Sequence, residues 1–263
     1  MSQATPGLKN VIHHLFTKMT TMNIGKSFRI QLRPIVGLFV LHLTAYPLPA
    51  FGQGFSLGAD FVSRYVWRGT DFGEAASIQP ALSYSAAGFE VGTWASYAID
   101  PDAASVNEHD IWMGYTIETT GAGSISLGVT DYYFPAPDGV GFFEFDGDGE
   151  GAHWIEPYVS YTLPGSAPLT LYGAAFVHND PDRSVYLQAS LPVQIDGVEV
   201  GITAGAVAGE SDLYGTDGFS FVNLALSVSK PVTITDQFAL PISVAYILNP
   251  DAERSYLVFG ISL

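Results

Sequence analysis

Residues 184–205 read SVYLQASLPVQIDGVEVGITAG. Val185, Leu187, Ala189 and Leu191 alternate with Ser184, Tyr186, Gln188 and Ser190. After Asp196-Gly197 the alternation resumes, with Val198, Val200, Ile202 and Ala204 set against Glu199, Gly201, Thr203 and Gly205. Successive side chains of a strand point to opposite faces, so each half is a strand with one oily and one polar side. Asp-Gly between two such runs supplies the positive φ that a tight hairpin demands. The stretch predicts an antiparallel hairpin.

The same rhythm fills the chain beyond residue 53. The pattern predicts about twelve strands, over 55–69, 77–86, 89–99, 108–119, 124–134, 153–163, 169–178, 184–194, 198–209, 219–230, 238–249 and 255–263. Most are near the 9–11 residues that a tilted strand needs to cross a bilayer. No sustained helical period interrupts them, and no apolar run reaches the length of a membrane helix. Connections alternate between tight turns (Ala87-Gly88, Gly121 to Gly123, Pro164 to Pro168, Asp196-Gly197) and longer loops near 70–76, 100–107, 135–152, 179–183, 210–218 and 249–254. Acidic residues such as Asp100, Glu144, Asp180, Asp212 and Glu253 gather in the long set. Pro80, Pro157, Pro192 and Pro241 fall inside the predicted strands, where each removes a ladder hydrogen bond; trimmed boundaries or bulges are expected there.

Composition narrows the class. The 263 residues are 48% hydrophobic and only 14% charged, with a formal net charge of −16 and no cysteine. Disulfide frameworks, iron–sulfur clusters and thiol chemistry are excluded. So acidic a chain repels phosphate, which argues against nucleic acid as a partner. A soluble β-sandwich would also alternate, but its wet faces would carry many Lys and Glu. Here the polar faces hold mostly Gly, Ser, Thr, Tyr and Gln. A closed barrel in lipid pairs every backbone group and leaves no edge. The expected fold is therefore all-β, a transmembrane antiparallel up-and-down barrel of about 12 strands spanning residues 53–263.

Residues 1–52 read as a leader and a cleaved secretory signal peptide. Lys26, Arg29 and Arg33 precede an apolar run from Ile35 to Tyr46, followed by Pro47, Pro49 and Ala50-Phe51-Gly52. All 26 acids lie beyond this segment, but only five bases do: Arg64, Arg68, Arg183, Lys230 and Arg254.

Three short motifs follow one another at the start of the barrel. They are Ser63-Arg64-Tyr65-Val66-Trp67-Arg68-Gly69-Thr70, then Gln79-Pro80-Ala81, then Gly88-Phe89-Glu90-Val91-Gly92-Thr93-Trp94-Ala95-Ser96. In order and spacing this series resembles the TorF family of porin-like, Gcw_chp-type exported proteins of Gram-negative bacteria. Ser63, Tyr65, Arg68 and Gly69 match its first element, Pro80 and Ala81 the second, and Gly88, Gly92, Trp94 and Ser96 the third. The match covers about forty residues. It implies an outer-membrane barrel with a channel role and names no solute.

With oily faces outward, Asp60, Arg64, Arg68, Glu90, Trp94, Asp110, Glu118, Glu156 and Tyr158 are the expected pore-lining residues, joined by Trp112, Tyr172, His178, Tyr186, Gln188 and Glu199. Twelve strands lie between the side-chain-filled eight and the water-filled sixteen, so a narrow pore and a loop-plugged lumen both fit. Arg64 and Arg68, about 13 Å apart on one strand face, would either face the acids across a constriction or stiffen the wall as ion pairs. The excess of acids favours cations or neutral solutes. Trp67, Tyr97 and Tyr133 on one side, with Tyr84, Phe89 and Phe238 on the other, predict two aromatic girdles.

Asp146, Asp148 and Glu150 fall at positions one, three and five of an EF-hand-like loop, with Gly151 at six. Position twelve is Pro157, where a bidentate Glu is required. The three acids are thus a weak candidate for calcium, and no cofactor is expected. His109, His153 and His178 stand near loop ends, yet no spacing joins them to a nucleophile and there is no G-x-S-x-G elbow. The expected function is passive diffusion of small hydrophilic solutes through an outer-membrane barrel, not catalysis. The expected partners are outer-membrane lipid, lipopolysaccharide and the barrel-assembly machinery. A non-conducting anchor or adhesin is the alternative, and a lipid-modifying rim enzyme a more distant one.

Overall fold

The computed structural model describes residues 53–73, 75–100, 107–135 and 141–263. The leader and signal peptide expected over residues 1–52 lie outside them. The first half holds β1 (Gly54–Val62), β2 (Val66–Trp67), β3 (Thr70–Asp71), β4 (Ser77–Ala86), β5 (Phe89–Ala98), β6 (Glu108–Thr119), β7 (Gly123–Tyr133) and β8 (His153–Thr162). The second holds β9 (Thr170–Ala175), β10 (Val185–Ile195), β11 (Val198–Val207), β12 (Glu210–Ser211), β13 (Thr216–Asp217), β14 (Ser220–Thr235), β15 (Phe238–Asn249) and β16 (Arg254–Ser262). No helix occurs among the described residues.

Twelve strands close into one antiparallel barrel, in the order β1-β16-β15-β14-β11-β10-β9-β8-β7-β6-β5-β4. Each wall strand pairs with its neighbour in the chain, and β1 meets β16 to shut the ring through Asp60–Ser262, Phe61–Ile261 and Val62–Gly260. Closure removes both sheet edges. The pairs β2–β3 and β12–β13 are small hairpins outside this wall.

Alternation produces two surfaces of opposite character. Phe55, Leu57, Ile111, Met113, Leu127, Leu187, Leu226, Leu257 and Phe259 all point outward and are exposed. Inward positions are small or polar: Gln79, Ser96, Thr170, Gln188, Ser190 and Thr203 are buried. The buried apolar clusters lie inside the ring. One gathers Trp67, Tyr132, Trp154, Phe176, Tyr186, Val207, Tyr214 and Val222. The other gathers Val62, Tyr65, Val66, Ile247, Tyr256 and Val258.

The predicted strands agree with those observed except at some ends, where β9 stops at Ala175, three residues short, and β14 runs on to Thr235, five residues further, and in one segment that divides. The segment 55–69 is not one strand: β1 stops at Val62, and Tyr65 and Trp67, expected on the lipid-side face, are 3% and 5% exposed. The reason is that the chain turns into the lumen there, so Trp67 is not a girdle residue. The prolines behave in part as expected: Pro192 faces Gly201 and Pro241 faces Pro231 in unbroken register, whereas Pro157 faces Val129 on β7 but the ladder to β9 ends beside it at Tyr158–Ala174 and resumes one residue out of step at Ile155–His178. Pro80 faces Ala59 on β1, while on the β5 side Gln79 and Pro80 drop out of a ladder that otherwise keeps its register. Two further register shifts lie at Gly205/Ala206 on β11 and Thr233/Thr235 on β14.

The tight turns are set by backbone torsion. Asp196 and Gly197 take φ 50° and 77°, and Ala87 and Gly88 take 52° and 86°, the paired left-handed conformations of a twist-matched hairpin turn. Nothing lies within 4 Å of where a Gly197 Cβ would sit, so adding one costs only torsion. Gly197→Ala is expected to lower stability by about 1–2 kcal/mol, read as a reduced urea midpoint at unchanged slope.

Candidate functional site

Past Val62 the chain leaves the wall. Ser63 marks the exit: its N–H donates to the Phe259 carbonyl (2.8 Å) and its Oγ accepts from the Phe259 N–H (3.0 Å). The segment from Arg64 to Gly73 then folds into the barrel. Its tip is the β2–β3 turn, where Arg68 and Gly69 take φ 47° and 89°. Gly69 is required twice over. Its φ favours glycine, and a Cβ would fall 1.6 Å from the Val222 carbonyl oxygen on β14. On the other side of the tip, Asn249 Nδ2 donates to the Gly69 carbonyl at 2.8 Å.

The tip carries Arg68 across the lumen to β8, which lies five strands round the ring from β1 in one direction and seven in the other. There its guanidinium meets Glu156 fork to fork. Nη1 donates to Oε1 and Nη2 to Oε2, both at 2.6 Å, with side-chain exposures of 1% and 0%. Nη1 also donates to the Tyr214 hydroxyl (2.9 Å) and Nη2 to the Tyr172 hydroxyl (3.1 Å). Tyr132 donates to Glu156 Oε2 at 2.9 Å. The cation is flanked by the rings of Trp67 and Tyr186, 4.4 and 4.5 Å from their centroids. Burial works against the charge on Arg68, but Glu156 and the surrounding Tyr214, Tyr132 and Tyr172 together outweigh it and raise the pKa well above the ordinary arginine value.

A second inward segment completes the closure. Ser211 and Tyr214, in the β12–β13 hairpin, are buried, and the Tyr214 ring stacks on Trp67 (5.5 Å) and on Tyr186 (6.0 Å). Nearer β1, the Tyr65 hydroxyl donates to Glu108, and its ring packs on Trp94 at 5.4 Å. Burial and the Glu108 carboxylate raise the Tyr65 pKa, so its hydroxyl stays a neutral donor. The half of the lumen nearest the long loops is thus filled by a plug.

Toward the short turns the inner wall is lined differently. Ser83, Ser85, Thr116, Ser126, Ser160, Ser227 and Ser229 face inward and are half-buried. The large inward rings lie flat, because glycines receive them. A Cβ on Gly128 or Gly114 would meet the Tyr158 hydroxyl at 2.4 or 2.7 Å, and one on Gly92 would meet the Trp112 ring at 2.3 Å. The result is a vestibule of hydroxyls below a closed plug.

The expected pore-lining residues divide accordingly. Asp60, Glu90 and Tyr158 are half-buried on the inner wall, and Asp110 and Glu156 are buried there. Trp94 packs beneath the plug, and Glu118 lies exposed on the inward-facing row near a short turn. Arg64 and Arg68 are both in the lumen, but on the inserted segment and not on a wall strand, which corrects their expected placement 13 Å apart on a strand face. Arg68 makes an ion pair and does not front an open constriction. Gln188, Tyr172, Tyr186, Glu199 and Trp112 point inward, while His178 follows β9 and bridges Ile155. Tyr132, Glu108, Tyr214 and Asn249 escaped the sequence reading. Glu108 and Tyr132 share the inward parity of Asp110 and Thr130, and that signal was available. Asp146, Asp148 and Glu150 are exposed, and no three His, Asp or Glu side chains converge on a metal position among the described residues.

A family model described as a bacterial protein of unknown function (Gcw_chp) matches residues 48–259. The chain belongs to this family. No curated protein matches it. The Gcw_chp match takes in both inserted hairpins and the whole wall up to Phe259, so the plug lies within the family's region.

Removing one partner of a buried ion pair leaves the other uncompensated, at about 3–5 kcal/mol, whereas an apolar replacement of both is often neutral. In this Gcw_chp barrel Glu156→Met alone is expected to cost that amount in urea unfolding. The double variant Arg68→Met/Glu156→Met is expected to recover most of it.

Proposed function

We propose that this chain is an outer-membrane channel of the porin type, as the TorF resemblance implies, with the plug holding it closed in the conformation described. The carrying observation is the closed twelve-strand barrel with large apolar side chains outside and hydroxyls and acids inside. An outward face so rich in exposed Leu, Ile and Phe needs an apolar solvent, and acyl chains supply one. Tyr97, Phe89 and Phe238 are exposed outward near strand ends, where amphipathic rings suit the headgroup level. In this reading the long acidic loops face outside the cell and the short turns face the periplasm. Lipopolysaccharide and the barrel-assembly machinery are the partners such a protein would meet. Inward acids (Asp60, Glu90, Glu108, Asp110, Glu118, Glu156, Glu199) outnumber the inward arginines Arg64 and Arg68, which favours cations and neutral solutes over anions.

The filled lumen favours a second reading, a non-conducting barrel whose acidic loops serve as an anchor or adhesin. Planar-bilayer recording separates the two. The channel reading expects small, infrequent steps from the wild type and several-fold larger, cation-selective steps from Gly69→Ala, whose hairpin cannot seat against Val222. Silent membranes from both, with protein shown to be inserted by heat-modifiable gel mobility, would leave only the anchor.

A further inference from the structure

The outer surface carries an unusual carboxylate. Among the residues of the twelve wall strands, Asp131 is the single carboxylate that points outward; Asp60, Glu90, Glu108, Asp110, Glu118, Glu156 and Glu199 all point in. It accepts from His153 Nδ1 at 2.9 Å, and His153 is 1% exposed although it begins β8 on the outward face. The cover comes from the loop before β8. Phe145 stacks on the imidazole at 3.9 Å, Phe142 meets it edge-on, and the Phe142 carbonyl lies 2.6 Å from Nε2. One residue along, Phe143 projects outward, 87% exposed.

Beside this cluster lies a cavity of about 340 Å³ on the same outer face. Register explains its shape. Leu57, Leu82, Thr93, Ile111 and Asp131 stand side by side on β1, β4, β5, β6 and β7. The next outward row toward the long loops has small residues at Pro80 and Ala95, and beyond it Tyr97 rises, its hydroxyl 2.8 Å from His109 Nε2. A row of small side chains between two rows of large ones is a trough. It is apolar at its β1 end and ends at Asp131, His153 and Phe142 near the strand ends of β7 and β8.

We propose that this trough binds one molecule of a sugar-headed lipid of the outer leaflet, an acyl chain lying along Leu82 and Ala95 and the saccharide seated at Asp131, His109 and Tyr97. The proposal rests on the membrane reading above. The chemistry selects the head group. No Lys or Arg lines the trough, so a phosphate finds no permanent counter-charge, whereas the Asp131 carboxylate, the Tyr97 phenol and the His109 imidazole accept from or donate to hydroxyls. The rings of Tyr133 and Phe142 offer apolar faces to a sugar. A carboxylate on the outward face of a barrel is tolerated near the interface and costs progressively more toward the midplane. Asp131, two residues from the end of β7, has the right depth for a head-group contact.

Native mass spectrometry of the full folded chain, released from detergent micelles containing a diglucosamine lipid or phosphatidylglycerol, tests this directly. The wild type is expected to retain one diglucosamine lipid per chain and to hold phosphatidylglycerol at least tenfold more weakly. Ala95→Trp, which fills the trough floor from outside, and Asp131→Asn are each expected to weaken retention at least tenfold. Ala204→Trp, outward on β11, should leave it unchanged. Equal retention by all variants, or of both lipids, would mean an annular lipid shell only and overturn the site. Heat-modifiable mobility, measured on every variant, reports separately on the barrel. A chain that stays soluble without detergent and shows no such shift defeats the membrane reading itself.

Discussion

Every backbone N–H and C=O in the wall has to find a partner, and in this molecule that requirement is met only when β1 reaches β16. The seam is narrow. Besides its three paired positions it has reciprocal bonds between Ala59 and Leu263, at 3.1 and 3.0 Å, and the Ser63–Phe259 contacts. Once it is shut, the period of two along each strand sorts all side chains into an outer and an inner set. The apolar exterior, the hydroxyl-lined vestibule and the filled upper lumen all follow from that sorting.

Closure creates an interior too wide for wall side chains alone to fill, and the chain answers by feeding in its own segments. The first enters directly after β1 and the second between β11 and β14, so both are tethered to strands at each end. Their contacts are of two kinds. Aromatic faces such as Trp67 on Tyr214 supply area, while the Arg68–Glu156 fork supplies direction. A bidentate ion pair tolerates little misplacement, whereas stacked rings can slide. Charge therefore fixes where the hairpin stops, and the rings around it exclude water from the pair. The bare guanidinium would be costly so far from solvent; the carboxylate, two tyrosine hydroxyls and the ring faces of Trp67 and Tyr186 compensate it.

The barrel was legible because alternation is a local signal, repeated a dozen times, and because tight turns carry glycine where φ must be positive. Segments such as 77–86, 108–119 and 238–249 emerge with their ends in place. The plug was not legible. Tyr65 and Trp67 continue the oily stripe of Phe55 to Phe61, so parity alone places them outside. What distinguishes them is the turn at Gly69, where a side chain is also excluded by the Val222 carbonyl, 153 positions away in the chain. The partners of Arg68 are equally remote in sequence, Glu156 by 88 residues and Tyr214 by 146. Inward parity identified Glu156 as a lumen residue but could not say which cation it would meet. The motif Ser63 to Thr70 carries the resemblance, and its structural meaning is a turn inward, not a strand end.

The flat-lying rings of the vestibule have a consequence for how its bore can change. Tyr158 rests in the hollow left by Gly114 and Gly128, and Trp112 in that left by Gly92. At Gly92 and Gly128 a methyl group would also strike wall carbonyls, of Leu82 at 2.8 Å and Met113 at 2.6 Å, but at Gly114 it would meet only the Tyr158 hydroxyl closely and tilt that ring inward while the hydrogen-bonded cylinder stayed intact. Internal calibre is thus decoupled from scaffold: at this position one hydrogen atom exchanged for a carbon narrows the lower half of the lumen.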